Sequence, residues 1–331
     1  MLRYFQNCGK DCCFLMQSSC VYISSFRSCS VTIEVAPPGS WLFAMSRLLA
    51  FALFGVTTTI SFGLSPAELE SARVLYQKTD YAGVLKLLGP LAEKTGEAYA
   101  LIGQAQFMNG EYKRSAESFE KAIAQDPRSS RYVHWLGRAY GRQAESASPF
   151  TAPGLAVKTR QAFEKAVAMD SSDKEALSDL FEYYMDAPGF LGGGLNRAQD
   201  VVRRIAKIDQ AEGMYANAQL ADKRKDFNSA EQQFRRAMDL APRQVGRVLD
   251  LAKFLARRGR VSESDQVFVQ AARLAPNNPQ VLYDRAALYI KQKRNLDEAA
   301  AMLEKYISSP LTPDNVPREK AMELLKQTKG V

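Results

Sequence analysis

A short phrase of residue types returns along this chain at intervals of 34 residues, and that recurrence constrains the fold more than any other feature. Ile102-Gly103 comes back as Leu136-Gly137, followed by Tyr140. Pro242 and Pro276 stand at the same interval. Each follows the same word: Phe234, Ala237 and Leu240-Ala241 before the first, Phe268, Ala271 and Leu274-Ala275 before the second. Phe119, Ala122 and Asp126-Pro127 form another copy, as do Phe163, Ala166 and Asp170-Ser171. The clearest unit, Tyr99–Pro127, predicts two amphipathic helices joined at Asn109-Gly110. Ile102, Ala105 and Gln106 fall at helical spacing in the first, and Ala116, Phe119, Ala122 and Ile123 in the second. Gly103 and Ala122 are small where the helices should cross, and Pro127 closes the unit because proline cannot continue a helix. Such a hairpin is too small to hide its apolar side unaided, so neighbouring copies must stack.

A 34-residue period with a helix–turn–helix unit resembles the tetratricopeptide repeat. Gly103, Gly110, Tyr112, Phe119, Ala122 and Pro127 carry the resemblance in the clearest copy. Leu136, Gly137 and Tyr140 open the next, and Phe227, Ala230, Phe234, Ala237 and Pro242 close a later one. The resemblance covers most of the chain after about Ser65. It implies an all-α, right-handed superhelical solenoid of stacked antiparallel helix pairs, about seven over residues 65–309. A capping helix is expected over 314–329, with Ala321, Leu324 and Leu325 on one side. Hydrophobic residues make up 46% of the chain, enough for a long, thin core. Two units are interrupted between their helices, after Gln143 and again from Asp186 to Gly194. Inserted loops are therefore predicted near 144–158 and 186–195. Equivalent turns of a solenoid project from one edge, so these loops should be neighbours.

The first 63 residues read differently. All five cysteines lie in residues 1–44, in a spacing that matches no zinc pattern, and no helical or strand period persists there. That stretch is expected to be a non-native or disordered extension. From Met45, Arg47 precedes the apolar run Leu48–Val56, and Ser61-Phe62-Gly63 supplies small residues where a signal peptidase cuts. Residues 45–63 are predicted to be a signal peptide that sends the chain to the periplasm or out of the cell. The apolar run is shorter than the roughly 20 residues of a spanning helix. Only if it stays attached does membrane contact follow, and the chain is then a membrane-anchored assembly subunit. Formal net charge is +8, with 44 Lys and Arg against 36 Asp and Glu. Residues 1–63 hold four of the basic and two of the acidic residues, leaving 40 against 34 and a net of +6 for the remainder. That balance describes a mixed-charge solvated surface.

Residue chemistry argues for a scaffold without catalysis. His134 is the one histidine and no cysteine follows Met45, so a Cys/His pair and a histidine-rich metal site are excluded. Glu182 and Asp186 share a helical face and have the residue types of an acid/base pair. Gly189–Gly194 lacks the lysine of a phosphate-binding loop, and no strand precedes it. Arg203-Arg204 and Arg257-Arg258 are short clusters among acids, which argues against nucleic acid. No cofactor is implied.

The resemblance places first-helix positions on the concave side of the solenoid. Projecting the period gives Arg131, His134, Arg138 and Arg142 in one unit, then Glu182 and Met185. Tyr215, Gln219 and Asp222 follow, then Lys253 and Arg257, then Tyr283 and Lys291. The basic stripe Arg131/His134/Arg138/Arg142 is the most coherent feature, and suits acidic or carboxyl-terminal peptide groups. Some relatives hold a peptide carboxylate with a groove lysine and asparagines; the matching places here are Ala100 and Gln104. The expected partner is a protein or peptide held in the groove. An alternative is an envelope enzyme or carbohydrate-binding protein working through the two inserted loops.

Overall fold

A computed structural model describes residues 64–328. The cysteine-bearing stretch and the leader-like segment lie outside the described residues. Fifteen helices run through the described residues, with no strand among them. Fourteen form pairs: α1 (Pro66–Gln77) with α2 (Tyr81–Leu88), α3 (Gly96–Met108) with α4 (Tyr112–Gln125), and α5 (Ser130–Ser146) with α6 (Ala152–Met169). Then come α7 (Lys174–Asp186) with α8 (Leu195–Ile208), and α9 (Gln210–Lys223) with α10 (Phe227–Leu240). The last pairs are α11 (Val245–Arg257) with α12 (Val261–Leu274), and α13 (Pro279–Lys291) with α14 (Leu296–Ser308). Helix α15 (Arg318–Thr328) covers the final pair, burying Ala321 and packing Leu324 and Leu325 beside it. Among the described residues no helix is long and apolar enough to cross a membrane.

Local chemistry starts these helices where they start. Ser65 accepts a hydrogen bond from the Glu68 amide while the Glu68 carboxylate accepts from the Ser65 amide, a reciprocal cap on α1. Thr95, Ser129, Asp173, Asp209, Asp226 and Asn278 cap later helices in the simpler way. The recurring phenylalanines form the spine of the core: Phe119, Phe163 and Phe268 are fully buried and Phe234 nearly so. Small residues let the helices approach. A Cβ on Gly103 would lie 2.9 Å from the Phe119 ring, and one on Gly137 would lie 2.6 Å from the Phe163 ring.

The pairing also sets the curvature. First helices approach first helices of the next pair, α1 to α3, α3 to α5, α7 to α9 and α11 to α13, while the second helices come less close to one another. The stack therefore bends with its first helices on the inside. This is the all-α solenoid of helix pairs that the recurrence predicts.

The first insertion departs from expectation. Its extra residues lengthen the helices flanking the turn: α5 has 17 residues and α6 has 18, against 13 or 14 in most others. The loop itself is only residues 147–151. Ala144, Ala156, Thr159 and Phe163 keep a helical rhythm of buried positions through the supposed loop, and the Ala152-Pro153-Gly154 triplet opens α6. The second insertion is a built loop. Pro188 leads into a single 3-10 turn, Gly189–Leu191, and Tyr183 donates to the Leu191 carbonyl at 2.9 Å. The Gly194 amide donates to the Tyr184 carbonyl at 2.8 Å, and a Cβ on Gly193 would collide with the Ala187 carbonyl. The loop packs against α6, with Gly192 beside Arg160. Phe150 and Phe190 stand out from the two loops, 95% and 82% exposed.

Five pairs share one interhelical turn, whose second residue has positive φ: Thr79, Gly110, Lys225, Gly259 and Lys293. Glycine suits that conformation and a β-branched residue does not. Thr79 sits there at φ 61°. Left-handed backbone costs an ordinary residue about 1–2 kcal/mol, and glycine's greater unfolded freedom returns part of that. Thr79→Gly is expected to stabilise the chain by about 0.5–1 kcal/mol, read as a raised midpoint in urea.

Candidate functional site

From α5 onward the inner layer is tied together by ion pairs that cross four successive repeat junctions. From α5 to α7, the Asp179 carboxylate takes a hydrogen bond from His134 Nε2 at 2.6 Å and one from Arg138 Nε at 2.5 Å, both on Oδ2. From α7 to α9, Lys223 donates to Asp186 at 2.8 Å. From α9 to α11, Arg247 pairs with Glu212, and Arg257 with Asp222 at 2.9 Å. From α11 to α13, Lys253 bridges Asp250 at 3.3 Å and Asp284 at 3.2 Å. Arg138 and Arg247 are largely covered in these pairs, while Lys223 and Arg257 stay exposed.

Electrostatics differ sharply along α7. Burial pushes the Asp179 carboxyl up, but the Arg138 charge and the His134 hydrogen bond outweigh it and bring it down to about 2. Since an ionised carboxylate only accepts, His134 Nε2 carries the proton in that bond. One turn on, Glu182 goes the other way. Burial raises it well above the usual carboxylate range, Asp179, Asp186 and Glu212 raise it further, and Arg138 opposes them. A group whose folded pKa lies above its unfolded value loses stability as pH rises through the folded pKa. Glu182→Gln is therefore expected to raise Tm at pH 8 by on the order of 3 °C and to leave it unchanged at pH 4. Parallel melts at the two pH values check this.

The structure places the predicted groove residues unevenly. His134 is 2% exposed, so its ring is not presented to a partner as the projected stripe expected. Its nearest acid sits one repeat away and draws it inward. Arg138 is largely covered by the same carboxylate, and Arg142 is held by Glu145 at 2.5 Å and by the Tyr112 hydroxyl at 3.2 Å. Arg131 is exposed at the first turn of α5. Tyr215 is half-buried under the Arg247 guanidinium, 4.1 Å from its ring centre, and accepts from Gln219 at 3.0 Å. Tyr283 packs its ring 5.2 Å from Tyr306. Lys253 is engaged between its two aspartates. Of the Glu182/Asp186 pair, Asp186 accepts a hydrogen bond from Lys223. Among the described residues no three His, Cys, Asp or Glu side chains are grouped to hold a metal.

Other projected positions converge. Met185, Gln219, Asp222, Arg257 and Lys291 line one open cavity of about 830 Å³. Lys223, Lys225, Phe227, Ala256, Arg258, Leu288 and Gln292 complete its wall. The cavity lies where α7, α9, α11 and α13 end and α10 begins, so four successive repeats build it. Lys225 and Arg258 escaped the projection because they sit past the ends of their helices, in turns. A clue was available in sequence: Lys223-Arg224-Lys225, Arg257-Arg258 and Lys291 fall at equivalent turns.

Comparison with known proteins agrees with this architecture. Residues 96–129, which hold α3 and α4, match the tetratricopeptide repeat family model. A tetratricopeptide repeat protein from Parabacteroides merdae has a similar structure, with a TM-score of 0.53 at 15% identity, covering 80% of this chain and 98% of that one. The C-terminal part of a repeat-containing protein from Cytophaga hutchinsonii scores 0.43 at 16% identity, covering 78% and 99%. No curated protein matches the chain. The family match covers one helical pair of the stack, and the likeness to the Parabacteroides merdae structure extends the same fold over most of the chain.

Proposed function

We propose that this chain is a non-catalytic scaffold that holds a peptide or an extended segment of a partner protein along its inner face. The observation that carries this reading is the cavity of about 830 Å³ built by four successive repeats, within the size range of sites that take small ligands. The ion pairs across the junctions support it. Those that are largely covered order part of the inner face beforehand, so binding need not supply that ordering. The test is selection of binders from a displayed random peptide library on the purified chain, followed by hydrogen-exchange mapping. Recovered peptides should slow exchange at the ends of α9, α11 and α13. Protection elsewhere, or no binders, overturns the reading.

We also infer export, from the leader-like Met45–Gly63 segment read in sequence. Amino-terminal sequencing of the cellular protein should find a start near Leu64; a start at Met1 or Met45 overturns it. A second reading, carbohydrate binding through the two loops, is favoured by the exposure of Phe150 and Phe190 on neighbouring repeats. A glycan array with the chain and its Phe150→Ser/Phe190→Ser variant separates that reading from the first.

A further inference from the structure

The cavity is charged in one direction. Lys223, Lys225, Arg257, Arg258 and Lys291 line it, against Asp222 in the wall and Asp186 beside it. Lys223 and Arg257 are paired with those two aspartates. Among the described residues Lys225, Arg258 and Lys291 form no ion pair. Cations at helix C-termini have an ordinary explanation, since each end carries about half a negative charge. Four such ends bring about two negative charges, which does not offset three unpaired cations.

A second observation concerns the backbone. At the shared turn position, two pairs use glycine, Gly110 and Gly259, where positive φ is free of strain. Of the three such pairs bordering the cavity, α11 with α12 uses Gly259 and the other two use lysine, Lys225 at φ 64° and Lys293 at φ 53°. Lysine there is less stable than glycine, and although Thr79 shows that the position tolerates strain elsewhere, strained residues cluster at binding sites. The side chain of Lys225 enters the cavity wall.

We propose that this cavity docks an acidic peptide segment of a partner protein, with carboxylates meeting Lys225, Arg258 and Lys291 and an apolar side chain resting on Leu288 and Met185. This deepens the scaffold reading above and rests on it. The chain's own residues 1–63 have the wrong sign for the site, with four Lys and Arg against two Asp and Glu. A single-stranded nucleic acid needs open aromatic faces for its bases. The Phe227 ring is instead covered by the Arg258 guanidinium at 3.5 Å. A peptide needs only carboxylate partners and amides, and Gln219 and Gln292 supply the amides.

The experiment is a fluorescence-anisotropy titration of the full chain with three labelled dodecapeptides, Glu/Leu, Gln/Leu and Lys/Leu, and with a dodecamer of thymidylate. The Glu/Leu peptide should bind at least tenfold tighter than the others, and added salt should weaken it. Lys225→Gly should raise Tm yet weaken that peptide about threefold, as loss of one exposed charge contact does. Lys225→Gly with Lys291→Gln should weaken it about tenfold. Equal affinity for Glu/Leu and Gln/Leu peptides overturns the acidic assignment and leaves the scaffold reading standing. So does unchanged affinity in the well-folded Lys225→Gly variant, or tighter binding of the oligonucleotide. Binding of none of the peptides, here and in the library selection, overturns both.

Discussion

Truncating Phe163 to alanine is expected to destabilise the chain by about 3–5 kcal/mol, and adding a methyl at Gly137 in the same protein should recover part of the loss. Phe163 is fully buried in the largest core cluster, among residues of α5, α6, α7 and α8. Its ring lies under Gly137 of α5 so closely that a Cβ there would be 2.6 Å from it. Gly137→Ala alone must therefore push a buried ring aside, at about 1–3 kcal/mol for overpacking. With the ring gone, the new methyl enters space that the truncation opened. The two changes should thus be less than additive, by about 1–2 kcal/mol in a double-mutant cycle from urea unfolding. Additive losses would mean that the helices separate at this crossing and that Phe163 is not what holds them. A solenoid adds a further expectation. Each pair is stabilised mainly by its neighbours, so weakening a central pair should split one transition into two.

Much of this architecture could be read from residue types because the recurring contacts are local. Phe119 meets Gly103, and Phe163 meets Gly137, within single hairpins, so spacing along the chain reports them. The first insertion shows where spacing misleads. Pro149 and the small residues around it read as a long loop, yet buried alanines at helical intervals carry α5 and α6 almost to the turn. The inner face was legible only as a set of positions. Projection found Met185, Gln219, Asp222, Arg257 and Lys291 together, because the later repeats keep a strict period. It failed for His134 and Arg138 because their fate depends on Asp179, 45 and 41 residues away across a lengthened repeat. No pattern within one helix reveals which charge the next helix will bring.

That dependence makes Asp179 the residue whose loss should damage the inner layer most. Its Oδ2 accepts from both His134 and Arg138, so the carboxylate is the hub and the two donors are spokes. Deleting a spoke leaves the hub with one partner. Deleting the hub removes the carboxylate that the buried imidazole and the largely covered guanidinium share, while Arg138 keeps Glu175 at 3.9 Å. Breaking a buried pair in that direction costs about 3–5 kcal/mol. The expected order of destabilisation is Asp179→Ala above Arg138→Ala above His134→Ala. A pH series gives the same carboxylate a second signature. Its folded value of about 2 lies below the ordinary 3.8, so its stabilisation is present above 3.8 and lost as pH falls toward 2. Wild-type stability should fall more steeply over that interval than Asp179→Ala stability, and the two curves should converge at its lower end. If Asp179→Ala proves no worse than His134→Ala, the carboxylate is not the hub. The junction between α5 and α7 must then be held by its apolar contacts, with Val133, Phe163 and Leu177 the next residues to truncate.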